Sequence, residues 1–248
     1  MSTLLMRFAA PLQAWGADSK FKRRATEREP TKSGVIGLIA AALGRVRTDC
    51  IDDLSKLRFG VRVDQNGSML NDFHMARTIE AQDKNKSEAT RNKGIFVSHR
   101  YYLSDAVFIV GLEGEDAFMR TLDAAICAPV FPLYLGRRSC PPAGRLSLGI
   151  RSKPLPDALR EEPWQASPWF KEKADPKVKL SLFFDTEKPT PFYRRDMPVS
   201  FAQTHRKYDN RFIEEDAVVL ENLFSRYQTA LPEHDPMAEL GGDADVPV

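Results

Sequence analysis

The run Tyr134-Leu135-Gly136-Arg137-Arg138-Ser139-Cys140-Pro141-Pro142 sets two adjacent guanidiniums behind a glycine and ahead of a proline stop. Guanidiniums are rigid donor forks that fit phosphate oxygens. A glycine removes the Cβ that would hold a ligand away from the backbone. The chemistry this predicts is the gripping of a nucleic-acid backbone at a strand end. The same residues would also make an ordinary surface turn, so the reading needs support from other segments.

Several segments offer it. Lys20, Lys22, Arg23, Arg24, Arg28 and Lys32 crowd one loop against only Asp18, Glu27 and Glu29, a pattern suited to tracking phosphates or to a solvated face. Ser33 is a plausible N-cap for the apolar run that follows, and the first turn of that helix would offer free N–H groups to an anion. Gln13-Ala14-Trp15-Gly16 places an amide and an indole just past the first strand. An exposed indole stacks on a base, whereas a buried one belongs to the core. Arg194-Arg195 and His205-Arg206-Lys207 read mostly as surface.

A catalytic reading must draw its acid and base from four histidines, His74, His99, His205 and His234. No Gly-x-Ser-x-Gly, phosphate-binding Gly-x-x-x-x-Gly-Lys or His-Glu-x-x-His motif is present. Metal-independent RNA cleavage would need a base, an acid and a cation, and His99, Lys93, Tyr101 and Tyr102 are of the right types. The competing reading of His99-Arg100-Tyr101 is that these residues bind without cleaving. No metal or cofactor is expected.

The elements that must position these groups follow from periodicity. Leu4–Phe8 is a short apolar strand, and Gly34–Gly44 is a helix apolar nearly all round that must be buried. Phe59, Val61 and Val63 alternate inward in a strand that ends at the Asn66-Gly67 turn. Residues 71–98 form a polar stretch without a core face, carrying His74, Arg77, Lys84, Lys86, Arg91 and Lys93; a protruding arm or hairpin is expected. Tyr101–Leu112 returns as a strand, Glu115–Cys127 as an amphipathic helix and Val130–Leu135 as a strand leading into the Gly-Arg-Arg turn.

This order is the split βαβ pattern, and the fold class is α+β, with a ferredoxin-like (RRM-like) βαββαβ domain over residues 1–150. Proline-rich connectors then lead into a smaller β-rich part over 151–231, including a strand over Val178–Asp185 and a final helix over Asp216–Tyr227. Residues 232–248 carry five acids and no Lys or Arg, and are expected to be mobile. Taking those five from 34 leaves 29 acids against 36 Lys and Arg, so the body is near +7 although the whole chain is +2. That balance favours an anionic partner. Three scattered cysteines, no secretory signal and no bilayer-length apolar run point to a reducing cytoplasm rather than a membrane.

Taken in order, five segments resemble one family: Ala10–Gly16, Pro30–Leu38, Asp72-Phe73-His74, Arg100–Ala106 and Tyr134–Pro141. Across roughly residues 3 to 150 they look like the CasD subunits of Cascade, the type I-E CRISPR surveillance complex, within the RAMP superfamily. The resemblance implies a non-catalytic subunit of antiviral defence that grips the 5′ handle of the CRISPR RNA. It implies contacts with a CasC-like backbone subunit and a CasA-like large subunit, and with target DNA only through the complex. The 71–98 arm would be the family's thumb at about its expected position, with Arg100 and Tyr101 at its base, and Gly136-Arg137-Arg138 would be its glycine-rich loop. A type I-C relative cuts RNA itself, which keeps the cleavage alternative open. The residues this reading assigns to RNA are Gln13, Trp15, Lys20, Lys22, Arg23, Arg24, Lys32, Ser33, His74, Arg77, His99, Arg100, Tyr101, Tyr134, Gly136, Arg137 and Arg138.

Overall fold

A computed structural model of the chain describes residues 1–16, 23–78, 87 and 95–228. Strand β1 (Ser2–Ala9) is apolar on both sides, with Leu4, Met6 and Phe8 in one layer and Leu5 in the other. A strand that buries both faces must sit inside a sheet. Short β2 (Leu12–Gln13) and β3 (Arg23–Arg24) follow it and belong to a second sheet. The main sheet takes in β4 (Arg58–Gln65), β7 (Val107–Gly114), β8 (Ser147–Arg151), β9 (Lys177–Thr186), β10 (Tyr193–Ser200) and β11 (Lys207–Glu221). Its order is β10-β11-β9-β4-β7-β1-β8, and every neighbouring pair is antiparallel. The mixed α/β fold is thus dominated by strands.

Helices α1 (Lys32–Ala42), α2 (Asp52–Ser55) and α3 (Asp116–Cys127) cover one face, with Ile36, Ile39, Leu54, Leu122 and Ile126 packed among Leu4, Met6, Phe8 and Phe108. Each large apolar side chain buried in this way contributes about 1.5–3 kcal/mol. Helix α4 (Leu155–Glu161) covers the other face over Leu5, Ile109, Leu182 and Phe184. Helix α5 (Pro168–Lys173) lies beside it, with Phe170 against Trp164 and Leu180.

The second sheet is built on β6 (Ile95–Ser104), which β5 (Ser68–Arg77) pairs along its whole length, from Ser68 opposite Ser104 to Arg77 opposite Ile95. Short β2 pairs antiparallel with β6 at Leu103 and Ser104, and β3 pairs parallel with it at His99 and Arg100.

Three expected elements differ. Tyr101–Leu112 is two strands, β6 and β7, broken at Asp105, whose φ of 55° turns the chain from one sheet into the other. Val130–Leu135 is not a strand. Its start instead completes the end of α1, where the Val130 and Phe131 N–H groups donate to the Ala42 and Ala41 carbonyls at 3.0 and 3.3 Å. The second neighbour of β1 in the main sheet is β8. Asp216–Tyr227 is not a helix: β11 runs to Glu221 against β9, and a single 3₁₀ turn follows at Arg226–Gln228. The spacing of Val219, Leu220, Leu223 and Phe224 suits a helix, but Val218 and Leu220 pack under α5 while Val219 faces outward. A waiting partner strand outweighs local propensity.

The end of α4 and the loop after it are joined to β4 by a buried latch. Arg62 and Asp64 are both fully buried, and the Arg62 Nε donates to the Asp64 carboxylate at 2.7 Å. The guanidinium also donates to the carbonyls of Leu159 (2.7 Å), Glu162 (2.6 Å) and Pro163 (3.0 Å). The Gln165 N–H and the Trp164 indole then close on Asp64. Burial pushes the Asp64 carboxyl up, against the opposing pull of Arg62.

Candidate nucleic-acid interface

The alternation of β5 and β6 sorts the ribbon's side chains onto two faces. Antiparallel register puts Asn71, Phe73, Met75, Arg77, His99 and Tyr101 on one face. Leu70, Asp72, His74, Ser98, Arg100 and Tyr102 share the other. Strand β3 joins in register, so Arg23 stands beside His99 and Arg24 beside Arg100. On the first face the Arg23 guanidinium lies 5.1 Å from the centre of the Tyr101 ring, and Phe73 meets the His99 ring edge-on at 5.6 Å. The Asn71 amide approaches His99 Nδ1 at 3.4 Å. Met69, Phe73, Met75 and Phe96 are exposed along the ribbon.

The Gly-Arg-Arg turn docks on the second face. Leu135 is buried and its N–H donates to the Cys140 carbonyl at 2.8 Å, while the Cys140 N–H donates to Arg137 at 2.9 Å, which closes the turn. Gly136 has a φ of 86°, and a Cβ there would stand 1.7 Å from the Ala14 carbonyl oxygen. Only glycine fits so close an approach. The Ala14 N–H donates to the Leu135 carbonyl at 3.2 Å, joining this turn to the first-strand motif. Arg137 is thereby set 4.6 Å above the Tyr102 ring, and its Nη2 donates to the Arg24 carbonyl at 2.9 Å. Burial pushes the Tyr102 phenol up, but the Ser139 hydroxyl and the Arg137 guanidinium outweigh it and hold the phenol below its ordinary value. Burial raises the Cys140 thiol.

The sequence-predicted residues separate into three groups. Arg23, Arg24, His74, Arg77, His99, Arg100, Tyr101, Tyr134, Gly136, Arg137 and Arg138 gather on the ribbon and the turn against it, all exposed or half-buried. Gln13, Trp15, Lys32 and Ser33 are buried instead. Gln13 donates to the Phe8 and Ala106 carbonyls and accepts from the Trp15 indole, and Trp15 stacks on Phe8 at 5.5 Å. The indole is core. It fixes α1 as well, since a Cβ at Gly34 would lie 2.9 Å from the Trp15 ring. Lys20 and Lys22 lie outside the described residues, as do Lys84, Lys86, Arg91, Lys93 and the acidic tail.

The N-terminus of α1 is likewise not open to a ligand. Thr31 rather than Ser33 is the cap, accepting from the Gly34 N–H at 3.3 Å. The anion at that helix start is the protein's own Asp196, which accepts from the Lys32 N–H at 2.8 Å. Lys32 Nζ pairs with Asp185 at 2.8 Å, and Arg211 bridges Asp185 and Asp196 at 2.6 Å each. Phe73 was not among the expected site residues, and Tyr102 was considered only for cleavage and not for RNA binding. Their signal was the period-two partnership of Tyr102 with Arg100, legible once β6 is taken as a strand.

The profile of the CRISPR-associated protein family Cas_Cas5 matches residues 3–214. The chain belongs to the Cas5 family. This Cas5 chain is 35% identical over 179 residues to the CRISPR system Cascade subunit CasD of Escherichia coli (strain K12), covering 65% of its own length and 78% of that protein. It is similar to a Cas protein of known crystal structure, with 38% identity, a TM-score of 0.66 and coverage of 89% and 95% of the two chains. It is also similar to a chain of a CRISPR RNA-guided surveillance complex, with 32% identity, a TM-score of 0.73 and coverage of 96% and 97%. The family match spans every described residue of the ribbon and turn of this Cas5 chain. Among its described residues no helix is long and apolar enough to cross a membrane, and no group of three His, Cys, Asp or Glu is placed to hold a metal ion.

Proposed function

We propose that this protein is the Cascade-type subunit that binds and caps the 5′ handle of the CRISPR RNA, acting in an RNA-guided surveillance complex of antiviral defence. The observation that carries this reading is the docking of the Gly136-Arg137 turn onto β6, which gathers Arg23, Arg24, Arg100 and Arg137 around one two-stranded ribbon. Such a ribbon combines charge for phosphates with rings for splayed bases, the pairing that single-stranded RNA recognition requires. The chain order β1-α1-β4-β7-α3-β8, with β4, β7, β1 and β8 adjacent in the main sheet, supports a ferredoxin-like domain, and the β5–β6 ribbon inserted between β4 and β7 supports the reading of a thumb. Backbone and large subunits of the CasC and CasA kinds are the expected neighbours, with target DNA reached only through the complex.

The role is holding rather than cutting. His99 and Tyr101 share one face of the ribbon with Arg23, whose guanidinium is laid over the Tyr101 ring at 5.1 Å, while Arg137 stands on the other face. The test is binding of single-stranded repeat RNA, with and without its handle, measured across a salt series in EDTA. Arg137→Ala/Arg138→Ala is expected to weaken handle binding and to flatten its salt dependence. Unchanged affinity and slope in that variant would overturn the assignment. Sequence-defined cleavage in EDTA that is lost in His99→Ala would favour a metal-independent ribonuclease instead.

A further inference from the structure

The geometry points to a division of labour between the two faces of the β5–β6 ribbon. The Arg24–Arg100–Arg137 face takes the phosphodiester backbone, and the Tyr101–His99–Phe73 face takes bases. This rests on the handle-binding reading above and adds to it which chemistry each face recognises.

The phosphate face is set by register and by unfinished hydrogen bonding. Arg24 and Arg100 are direct partners on neighbouring strands, and Arg137 reaches the Arg24 carbonyl from above Tyr102, which is two residues from Arg100 on the same face. Three guanidiniums therefore crowd one patch. The acid directly across from Arg100 on β5 is Asp72, and no ion pair joins the two. Among the described residues, Arg100 Nε and Arg137 Nη1 are two of the three buried side-chain polar atoms without a hydrogen-bond partner. An unmatched buried donor is unfavourable, so each of these atoms is a donor an anion can satisfy, in Arg137 the Nη1 while Nη2 keeps the Arg24 carbonyl.

The opposite face sets Phe73, His99 and Tyr101 side by side, whereas on the guanidinium face Tyr102 is covered by Arg137 and Phe96 lies four residues along β6 from Arg100. Phe73 is 60% exposed although it contacts His99, and Tyr101 carries Arg23 over its ring. An exposed ring beside an imidazole and a guanidinium-covered phenol makes a stack that accepts any base through its π-face. Charge on this face is Arg77 at the far end and Arg23 on the β3 side of His99, laid over the Tyr101 ring.

The two chemistries separate in one experiment on the full chain. Anisotropy of a labelled single-stranded repeat RNA, and of a ribose-phosphate strand of equal length lacking bases, is recorded across a potassium chloride series. Arg100→Gln and Arg137→Gln are expected to weaken both probes and to lower the salt slope by about 0.7 each, whereas Arg137→Lys keeps the slope. Phe73→Ala and Tyr101→Ala are expected to weaken the based RNA roughly 5- to 100-fold while leaving the abasic strand and the slope unchanged. Near-ultraviolet dichroism identifies any variant that has lost its fold, and Phe73→Leu serves as the milder substitute for the aromatic face. Loss of slope in the aromatic variants, or an unchanged slope in both arginine variants, overturns the division while handle binding stands. Absence of salt-dependent binding by the unmodified protein overturns handle binding and this division together.

Discussion

Gly136→Ala probes the join between the first-strand motif and the arginine turn. At a φ of 86° an L-residue enters the left-handed region, which costs about 1–2 kcal/mol. The added Cβ would also stand 1.7 Å from the Ala14 carbonyl oxygen, a backbone atom that cannot rotate away. Relief requires the two segments to separate, which breaks the Ala14 N–H bond to the Leu135 carbonyl, itself worth about 1 kcal/mol. The expected destabilisation is about 3 kcal/mol, or a fall in Tm of about 6–12 °C for a chain of this size. Gly144→Ala is the matched control: its φ is 83°, yet nothing lies within 4 Å of the position of its Cβ, so it carries backbone strain alone. Urea unfolding of the two variants beside the unmodified protein isolates the contact, expected at about 1–2 kcal/mol between them. A difference below about 0.5 kcal/mol would refute the argument, because ordinary surface substitutions already differ by that much.

Other outcomes follow from the same contacts. The Tyr102 phenol is expected to titrate below its ordinary value in phenolate absorbance, and Arg137→Ala to raise it; no change would remove Arg137 as a cause. Because its folded value is the lower one, Tyr102 adds stability above its unfolded pKa, and that contribution disappears as pH falls through the folded value. It should shrink in Arg137→Ala, where the Ser139 hydroxyl remains, and alkaline unfolding curves can read the difference. Arg62→Met should cost about 3–5 kcal/mol by leaving the Asp64 carboxylate buried and unpaired. The double variant Arg62→Met/Asp64→Leu should recover part of it, and a double variant no more stable than the single one contradicts this account. Asp196→Ala removes the carboxylate at the start of α1 and half of the Arg211 bridge. A loss of about 2–4 kcal/mol in chemical unfolding is expected, and a loss under about 1 kcal/mol would show the helix start to be served otherwise.

Much of the frame was legible in the sequence because periodicity reports burial directly. β1, β4, α1 and α3 fall where apolar spacing sets them, and α3 begins within a residue of its expected start. The failures have a common cause. Val219, Leu220, Leu223 and Phe224 can satisfy a helix locally, and only the distant β9 decides otherwise. Lys32 has a surface-type side chain, but its burial depends on Asp185 and Asp196, more than 150 residues away. Trp15 was ambiguous for the same reason, since the Phe8 stack and the Gly34 approach are tertiary. Arg62 and Asp64 sit at the outward positions of a strand expected to bury only its odd residues, and no local rule signals a second buried face.

The pairing of β5 with β6 has a consequence for how this region tolerates change. Side-chain direction reverses with every residue, so the ribbon behaves as a two-track tape whose tracks are exchanged by a shift of one. A single deletion within Asn71–Met75 would carry Arg77 from the ring-bearing track to the guanidinium-bearing one, while β6 kept its own assignment. Removing two neighbouring residues would shorten the tape and leave each track with its own chemistry. Length changes by an even number should therefore be the ones that this strand accepts.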